Sequence, residues 1–335
     1  MSPAALEATL GELMDTRRAP RGLERPWRRL AEFALRPGKR IRPALVELGW
    51  HAGGGGNAGA GGGGNAGAGV RKFAAGLELV HAFLLVHDEV ADRADERRGG
   101  PALHRMLGAG RLGEDLAIVA GDLLFVEALA AMLGCGLPRA ARAVREVLDS
   151  LRDTAAGQYL DLALASADLG DVAPAAARRA EYLKTARYSF ESPLTSGALL
   201  AGARPDVVRA LRDVARPLGL AFQLQDDLLP FKQGDAAGKP ALADLAGNKK
   251  TWLVARAWRS LGEVGQRRLR ALYARGDLQA LSEAAELLTR CGAVARVEAE
   301  VSRLCARSRR AAARPALARV RPALEAVVAR VEASR

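Results

Sequence analysis

Apolar positions recur with a helical period along almost the whole chain. Residues 3–16 place Leu6, Leu10 and Leu13 on one side, a shorter segment from Trp27 to Leu35 stops at Pro37-Gly38, and a third opens within GKRIRPALVELGWH, with Pro43 in its first turn. Leu77, Val80, Leu84 and Leu85 continue the pattern toward an acidic stretch. Further helices are predicted over Arg111–Leu133, Arg139–Leu164, Arg178–Leu200 with an interruption at Pro193, and Pro205–Leu229. From Gly262 to Arg335 the tail divides into amphipathic helices with arginine-rich outer faces. No stretch sustains the period-two alternation of a strand, and β-branched residues other than valine are scarce, so the pattern predicts an all-α bundle of about ten or more helices. One segment breaks it. GGGGNAGA occurs at 53–60 and again at 61–68, with nothing that can pack, and predicts a flexible loop over 53–69 between two helices.

Composition changes this picture only a little. With 335 residues and 49% hydrophobic content the chain has ample material for a large core, and the absence of any run of about eighteen consecutive apolar residues predicts a chain that does not span a membrane. Its net charge of +12 is mostly arginine, dense at both ends. Nucleic-acid binding is not expected: aromatic residues make up only 4%, too few for base stacking, and no nucleic-acid motif is present. Cys135, Cys291 and Cys305 lack metal or redox spacing, and MSPAALEATLGELMD lacks the basic-then-apolar order of a secretory leader, so a reduced, cytoplasmic protein is expected.

The chemistry gathers where apolar helices end in acid. From Asp88 to Arg98 there are five carboxylates and three arginines. Asp88 and Asp92 stand one turn apart, about 40° from each other on an ideal helix, with Glu89 to the side. Carboxylates so placed repel each other unless a cation lies between them, and oxygen-only ligation suits Mg²⁺ better than zinc. Arg97 and Arg98 follow where Gly99, Gly100 and Pro101 oppose further helix. Together these groups suit a diphosphate. Asp226 and Asp227 close a second apolar helix, Gln223 lies one turn before Asp226, and a loop carrying Lys239, Asp244, Lys249 and Lys250 follows. If the two acidic ends face each other across a bundle, they can grip a small Mg²⁺ cluster above an oily pocket, which fits a polyanionic head with a hydrocarbon tail. Lys39, Arg40 and Arg42 at a helix start, where the dipole is positive, mark an anion site. In GQYLDL, Asp161 lies between leucines on the face of Gln158, an odd position for a charge without a partner.

The ordered set GKRIRP, LVHAFLLVHDEVADRADERRG, GQYLDL, KTARYSF, FQLQDD, GKP and DLAGNKKT resembles the trans-isoprenyl diphosphate synthases, the polyprenyl synthetase family, over nearly the whole chain. The resemblance implies one all-α domain over 1–335, a single large helical bundle of the isoprenoid synthase type around a central apolar cavity. It implies Mg²⁺-dependent, head-to-tail prenyl transfer: diphosphate leaves an allylic substrate, the double bond of isopentenyl diphosphate attacks the carbocation, and a proton is lost. By matching motif, Asp88, Asp92 and Asp226 are the expected ligands of up to three Mg²⁺ ions, with Glu89 and Asp227 supporting. Lys39, Arg42, His81 and Arg98 correspond to isopentenyl diphosphate contacts, and Arg97, Lys184, Thr185, Gln223, Lys239 and Lys249 to allylic substrate contacts. Of these, Asp88, Asp92, Arg97, Lys184, Asp226 and Lys239 form the expected catalytic set. His81 lies seven residues before Asp88, about 20° from it on the wheel.

Two departures stand out. Glu89 replaces the second aspartate usual in the first motif, and Pro230 stands where many relatives carry a carboxylate or glycine, leaving Asp235 or Asp244 as helpers of the second site. Phe83 and Leu84, five and four positions before the first aspartate, match the floor of the product pocket, and an aromatic at the fifth position resembles short-chain enzymes. Geranylgeranyl diphosphate is the expected product, with farnesyl diphosphate next, although on an ideal wheel Phe83 lies well off the Asp88–Asp92 axis. Relatives are commonly homodimers. A terpene cyclase on the same bundle is the chief alternative, but it would have no use for Lys39, Arg42, His81 and Arg98, and its Asn/Ser/Glu motif is not seen at FQLQDD. A regulatory subunit of a heteromeric synthase would suit Glu89 and Pro230 and is opposed by the retained lysines and arginines.

Overall fold

Ser2 starts the first helix: its hydroxyl accepts the Ala5 amide and Pro3 fills the first helical position, where no donor is missed. The computed structural model of the chain describes residues 1–56, 64–232 and 249–333, and they are almost entirely helical. In chain order the elements are α1 (Pro3–Leu13), α2 (Glu24–Ala34), α3 (Ile41–Ala52), α4 (Gly64–Ala91), β1 (Glu96–Arg97), β2 (Gly100–Pro101), α5 (Leu103–Leu107), α6 (Gly110–Leu133) and α7 (Ala140–Ser166). There follow α8 (Pro174–Glu181), a π-helical segment (Tyr182–Glu191), α9 (Ser192–Ala201), α10 (Pro205–Asp227) and α11 (Leu229–Lys232). The tail comprises α12 (Trp252–Ser260), α13 (Glu263–Arg275), α14 (Leu278–Arg290), α15 (Ala293–Ala312) and α16 (Arg321–Glu332). The helices form two units interleaved in sequence: Met1–Glu146 with Pro193–Arg204, and Val147–Ser192 with Pro205–Arg335.

In the first unit α4 packs along α6, burying Phe73, Leu77 and Val80 with Leu124 and Met132. Backbones nearly touch where α3 meets the 193–204 segment: a Cβ on Gly49 would lie 2.0 Å from the Leu194 carbonyl oxygen, and one on Gly197 would lie 2.0 Å from that of Val46. In the second unit α10 packs against α15 and the π segment. Its apolar stripe (Val207, Leu211, Val214, Leu218) is buried, and Ser308 of α15 donates to the Val214 carbonyl at 2.9 Å.

Four details differ from the sequence reading. Gly64–Gly69 belong to α4, so the predicted glycine-rich loop is helical over its last third. Gly69 and Val70 are buried, Gly69 so close to the Cys135 carbonyl that a Cβ would sit 2.7 Å away, and this packing outweighs a helix cost of about 1 kcal/mol per glycine. Residues 57–63 lie outside the described residues. The acidic helix ends at Ala91 rather than at Gly99, and Arg97-Arg98 sit on a short hairpin. Pro193 does not interrupt the helical path, because Ser192 already bonds the Arg187 carbonyl in the wide π pattern, which relieves the clash between a proline ring and the preceding turn. Finally, α6 contains an 18-residue stretch of mean hydropathy 2.1 and is long and apolar enough to cross a membrane by length and composition.

Candidate functional site

The end of α4 carries the first acidic group. The Asp92 amide bonds the Asp88 carbonyl at 2.8 Å, so the two aspartates are stacked one turn apart, Asp88 half-buried and Asp92 exposed. Glu89 points elsewhere. It is buried, accepts the Leu103 amide at 3.4 Å and lies 3.8 Å from Arg97 Nε; burial pushes its carboxyl up to about 7 against the pull of Arg97. Glu89 therefore tethers the segment beyond the helix.

That segment turns back through the β1–β2 hairpin, with Arg98 at φ +49° and Gly99 at φ +72°, the two positive values of a tight primed turn. Arginine in this conformation costs roughly 1–2 kcal/mol. Holding it there are Arg36, which donates to the carbonyls of Arg97 (3.1 Å) and Pro101 (2.8 Å), and Glu78, whose Oε1 lies 3.7 Å from Arg98 and accepts from Arg40 at 2.8 Å. Glu78 is 2% exposed. The sequence reading missed it, although a lone carboxylate within LELVHAFLL was the available signal, since a buried charge without a partner is costly. One turn on, His81 is pushed well below its usual value, first by burial and then by Arg42, Arg98, Arg97 and Arg40, so the ring is neutral at pH 7. Three of the predicted diphosphate contacts, Arg42, His81 and Arg98, thus share one electropositive region, with Arg97 at its edge. Lys39 is exposed just before α3.

Phe83 faces α6: its ring lies 5.1 Å from that of Phe125 and 4.6 Å from that of His87. Leu84 is half-buried.

In the second unit, Lys184 Nζ bonds Asp161 Oδ2 at 2.8 Å, which supplies the partner that Asp161 lacked in sequence. Gly157 allows this approach, since a Cβ there would lie 2.3 Å from the Lys184 backbone nitrogen. Lys184 and half-buried Thr185 occupy the first turn of the π segment. The segment is clamped from end to end by Glu191, which is 1% exposed, accepts the Tyr182 hydroxyl at 2.7 Å and pairs with Arg216 at 3.1 Å, Arg212 at 3.4 Å and Arg187 at 3.5 Å. No pattern in the sequence distinguished Glu191. These partners come from α10 and from the preceding turns of its own segment.

At the end of α10 Asp226 is half-buried and Asp227 buried. Gln223, expected on the face of Asp226, donates to Asp227 Oδ1 at 2.8 Å, the i,i+4 partner. Asp227 also meets Glu181, which accepts the Trp252 amide at 2.6 Å and is held above the usual carboxylate range by burial. Lys249 is half-buried, and Lys250, at the end of the same basic loop, is buried and bonds the Ala165 carbonyl at the end of α7. Lys239, Asp235 and Asp244 lie outside the described residues, as does the side chain of Pro230.

Among the described residues no three His, Cys, Asp or Glu side chains converge as a metal site. The donor chemistry still fits Mg²⁺: two carboxylates stacked at a helix end, without nitrogen or sulfur ligands, leave positions for water and phosphate oxygens. In the second unit the buried Oε1 of Gln158 has no hydrogen-bond partner among the described residues, a polar atom placed near the Lys184–Asp161 pair by GQYLDL.

A family model described as polyprenyl synthetase matches residues 25–289. The chain is 34% identical over 264 residues to the short chain isoprenyl diphosphate synthase of Methanothermobacter thermautotrophicus, covering 78% of this chain and 76% of that one. It is 29% identical over 304 residues to the geranylgeranyl diphosphate synthase of Methanosarcina mazei, covering 88% and 83%. Its fold is similar, with a TM-score of 0.84 and 28% identity over 99% of this chain and 98% of the other, to a geranylgeranyl pyrophosphate synthase from Corynebacterium glutamicum complexed with isoprenyl diphosphate and magnesium.

Proposed function

The chain belongs to the polyprenyl synthetase family, and from that premise we propose that it joins isopentenyl diphosphate to an allylic prenyl diphosphate, head to tail, with geranylgeranyl diphosphate as the main product and farnesyl diphosphate as the next choice. Within this all-α isoprenoid-synthase fold, the acidic ends of α4 and α10 each supply part of the proposed metal-binding set. Asp88, Asp92 and Asp226 would hold up to three Mg²⁺ ions, which when bound neutralise the allylic diphosphate and make it a good leaving group. Asp227, fixed by Gln223, supports that set, and Glu89 contributes by fastening the hairpin.

The residues divide the remaining work. Arg42 and Arg98, with exposed Lys39, bind the diphosphate of the isopentenyl substrate; neutral His81 offers it a hydrogen bond without adding charge. Arg97, Lys184 and Thr185 orient the allylic diphosphate, with Lys184 steadied by Asp161, and Gln223, Lys249 and Lys239 complete the assignment. Phe83 and Leu84 set product length. No side chain acts as a nucleophile: preorganised positive charge meets charge developing on the departing diphosphate, while apolar walls keep water from the cation.

One observation carries the reading. Four guanidinium groups, from Arg42, Arg98, Arg97 and Arg40, act on a neutral His81 about two to three helical turns before the aspartate pair. That is a second anion site beside the metal ligands, which a two-substrate condensation needs and a cyclase does not. Incubation with Mg²⁺, isopentenyl diphosphate and separate dimethylallyl, geranyl and farnesyl diphosphates, with products read by mass, should give longer prenyl diphosphates only when both substrates are present. Hydrocarbon released from an allylic substrate alone would overturn the proposal in favour of the cyclase.

A homodimer is part of the same proposal. Leu112, Leu116, Val119, Val126 and Leu133 form an exposed apolar stripe along α6, a surface that a second copy would cover. Light scattering after gel filtration tests it. A cytoplasmic location accords with Cys135, Cys291 and Cys305 all being free thiols.

A further inference from the structure

The second unit contains a cavity of about 690 Å³ that the proposed reaction does not use. Pro217 and Leu220 of α10 and Leu304 of α15 form its apolar side. Five arginines, Arg178, Arg216, Arg303, Arg307 and Arg310, also line it. Among the described residues Glu300 is the only carboxylate in its lining, and it is already shared by Arg178 at 2.6 Å and Arg303 at 2.5 Å. Arg216 is engaged by Glu191, and Tyr182, whose hydroxyl donates to Glu191, also borders the cavity. Arg307 and Arg310 have no carboxylate partner among the described residues.

This arrangement differs from the arginine-rich surface elsewhere. On neighbouring helices an exposed arginine commonly has an acid one turn away, as in Glu263–Arg267, Glu286–Arg290 and Arg321–Glu325. On α15, Arg303, Arg307 and Arg310 recur one per turn along one face, and like charges so spaced destabilise a helix unless an anion lies among them. Arginines lining a cavity from α8, α10 and α15 supply guanidinium groups of the kind that bind the oxygens of linked phosphates, and the volume lies in the usual range for small-molecule sites.

We propose that this cavity is a binding site for a compact anion bearing two linked phosphate groups, separate from the residues assigned to the two substrates. The anion is either free diphosphate or a diphosphate carrying an apolar chain, which Pro217, Leu220 and Leu304 would cover.

The test is calorimetric titration of the full-length protein with inorganic diphosphate in EDTA, with isopentenyl diphosphate at saturation so that the cationic substrate site is filled. One equivalent should bind. The double variant Arg307→Ala/Arg310→Ala should weaken binding roughly tenfold or more, as expected for the loss of charge-assisted hydrogen bonds, while the melting temperature and kcat stay unchanged. The control pair Arg267→Ala/Arg290→Ala, which removes two exposed arginines outside the cavity, should leave it within about twofold. Equal loss in both pairs would reduce the effect to net charge and overturn the proposal, as would undiminished binding to the first variant. Repeating the titration of the protein and of Arg307→Ala/Arg310→Ala with geranyl diphosphate separates the two sources: a larger loss in the variant than with inorganic diphosphate indicates a chain-bearing ligand, and an equal loss indicates free diphosphate. Because neither arginine belongs to the catalytic assignment, a failed condensation assay and a failed titration are separate results.

Discussion

Gly157→Ala isolates the link between packing and chemistry. A Cβ on Gly157 would stand 2.3 Å from the Lys184 nitrogen and 2.8 Å from both the Lys184 Cα and the Leu183 carbonyl carbon. All three are backbone atoms, so no rotamer change relieves the contact, and the π segment must retreat by about 1 Å to restore ordinary separation. Overpacking of this kind costs about 1–3 kcal/mol, but alanine within α7 recovers about 1 kcal/mol of helix propensity over glycine. Net destabilisation should therefore be at most about 2 kcal/mol. Activity should suffer more: displacing a substrate-positioning group by about 1 Å lowers rates on the order of a hundredfold. The assay pairs kcat/KM for the allylic diphosphate with a thermal melt followed by circular dichroism. A variant with wild-type kcat/KM would refute the argument that Gly157 places Lys184, and so would a loss of activity that simply follows unfolding at the assay temperature.

Glu78→Gln should leave Arg98 without its buried counter-charge while Arg40 keeps Glu7; breaking a buried pair costs up to about 3–5 kcal/mol, and KM for isopentenyl diphosphate should rise about tenfold while that for the allylic substrate changes little. Steady-state kinetics with each substrate varied in turn will decide it. Phe83→Ala removes the ring packed on Phe125 and His87 and should shift products to longer chains; an unchanged mass distribution would eliminate Phe83 as the pocket floor. Gly99→Val forces a β-branched residue to φ +72° and should loosen the hairpin that presents Arg97 and Arg98, at a cost of about 1–2 kcal/mol, seen as faster proteolysis between residues 95 and 101 and lower activity. Chelation of divalent cations should abolish condensation, and Mg²⁺ should restore it.

What was legible in the sequence is what local periodicity encodes. A hydrogen bond from residue i to i−4 fixes which side chains share a face, so the helices, the stacking of Asp88 on Asp92 and the placement of His81 one turn after Glu78 follow from spacing alone. Motif order carried the family, and the need of Asp161 for a partner was visible before the partner was. Only the tertiary structure chose Lys184 for that role, turned Glu89 away from Asp88 toward the Leu103 amide, brought Arg212 and Arg216 of α10 to Glu191, and extended α4 back into the glycine repeat. Each of these depends on which distant backbone comes within a few ångströms, as at Gly157 and Gly69, and on the cost of burying a charge without its counter-charge. Neither quantity exists until the helices are packed, and so neither could be read one residue at a time.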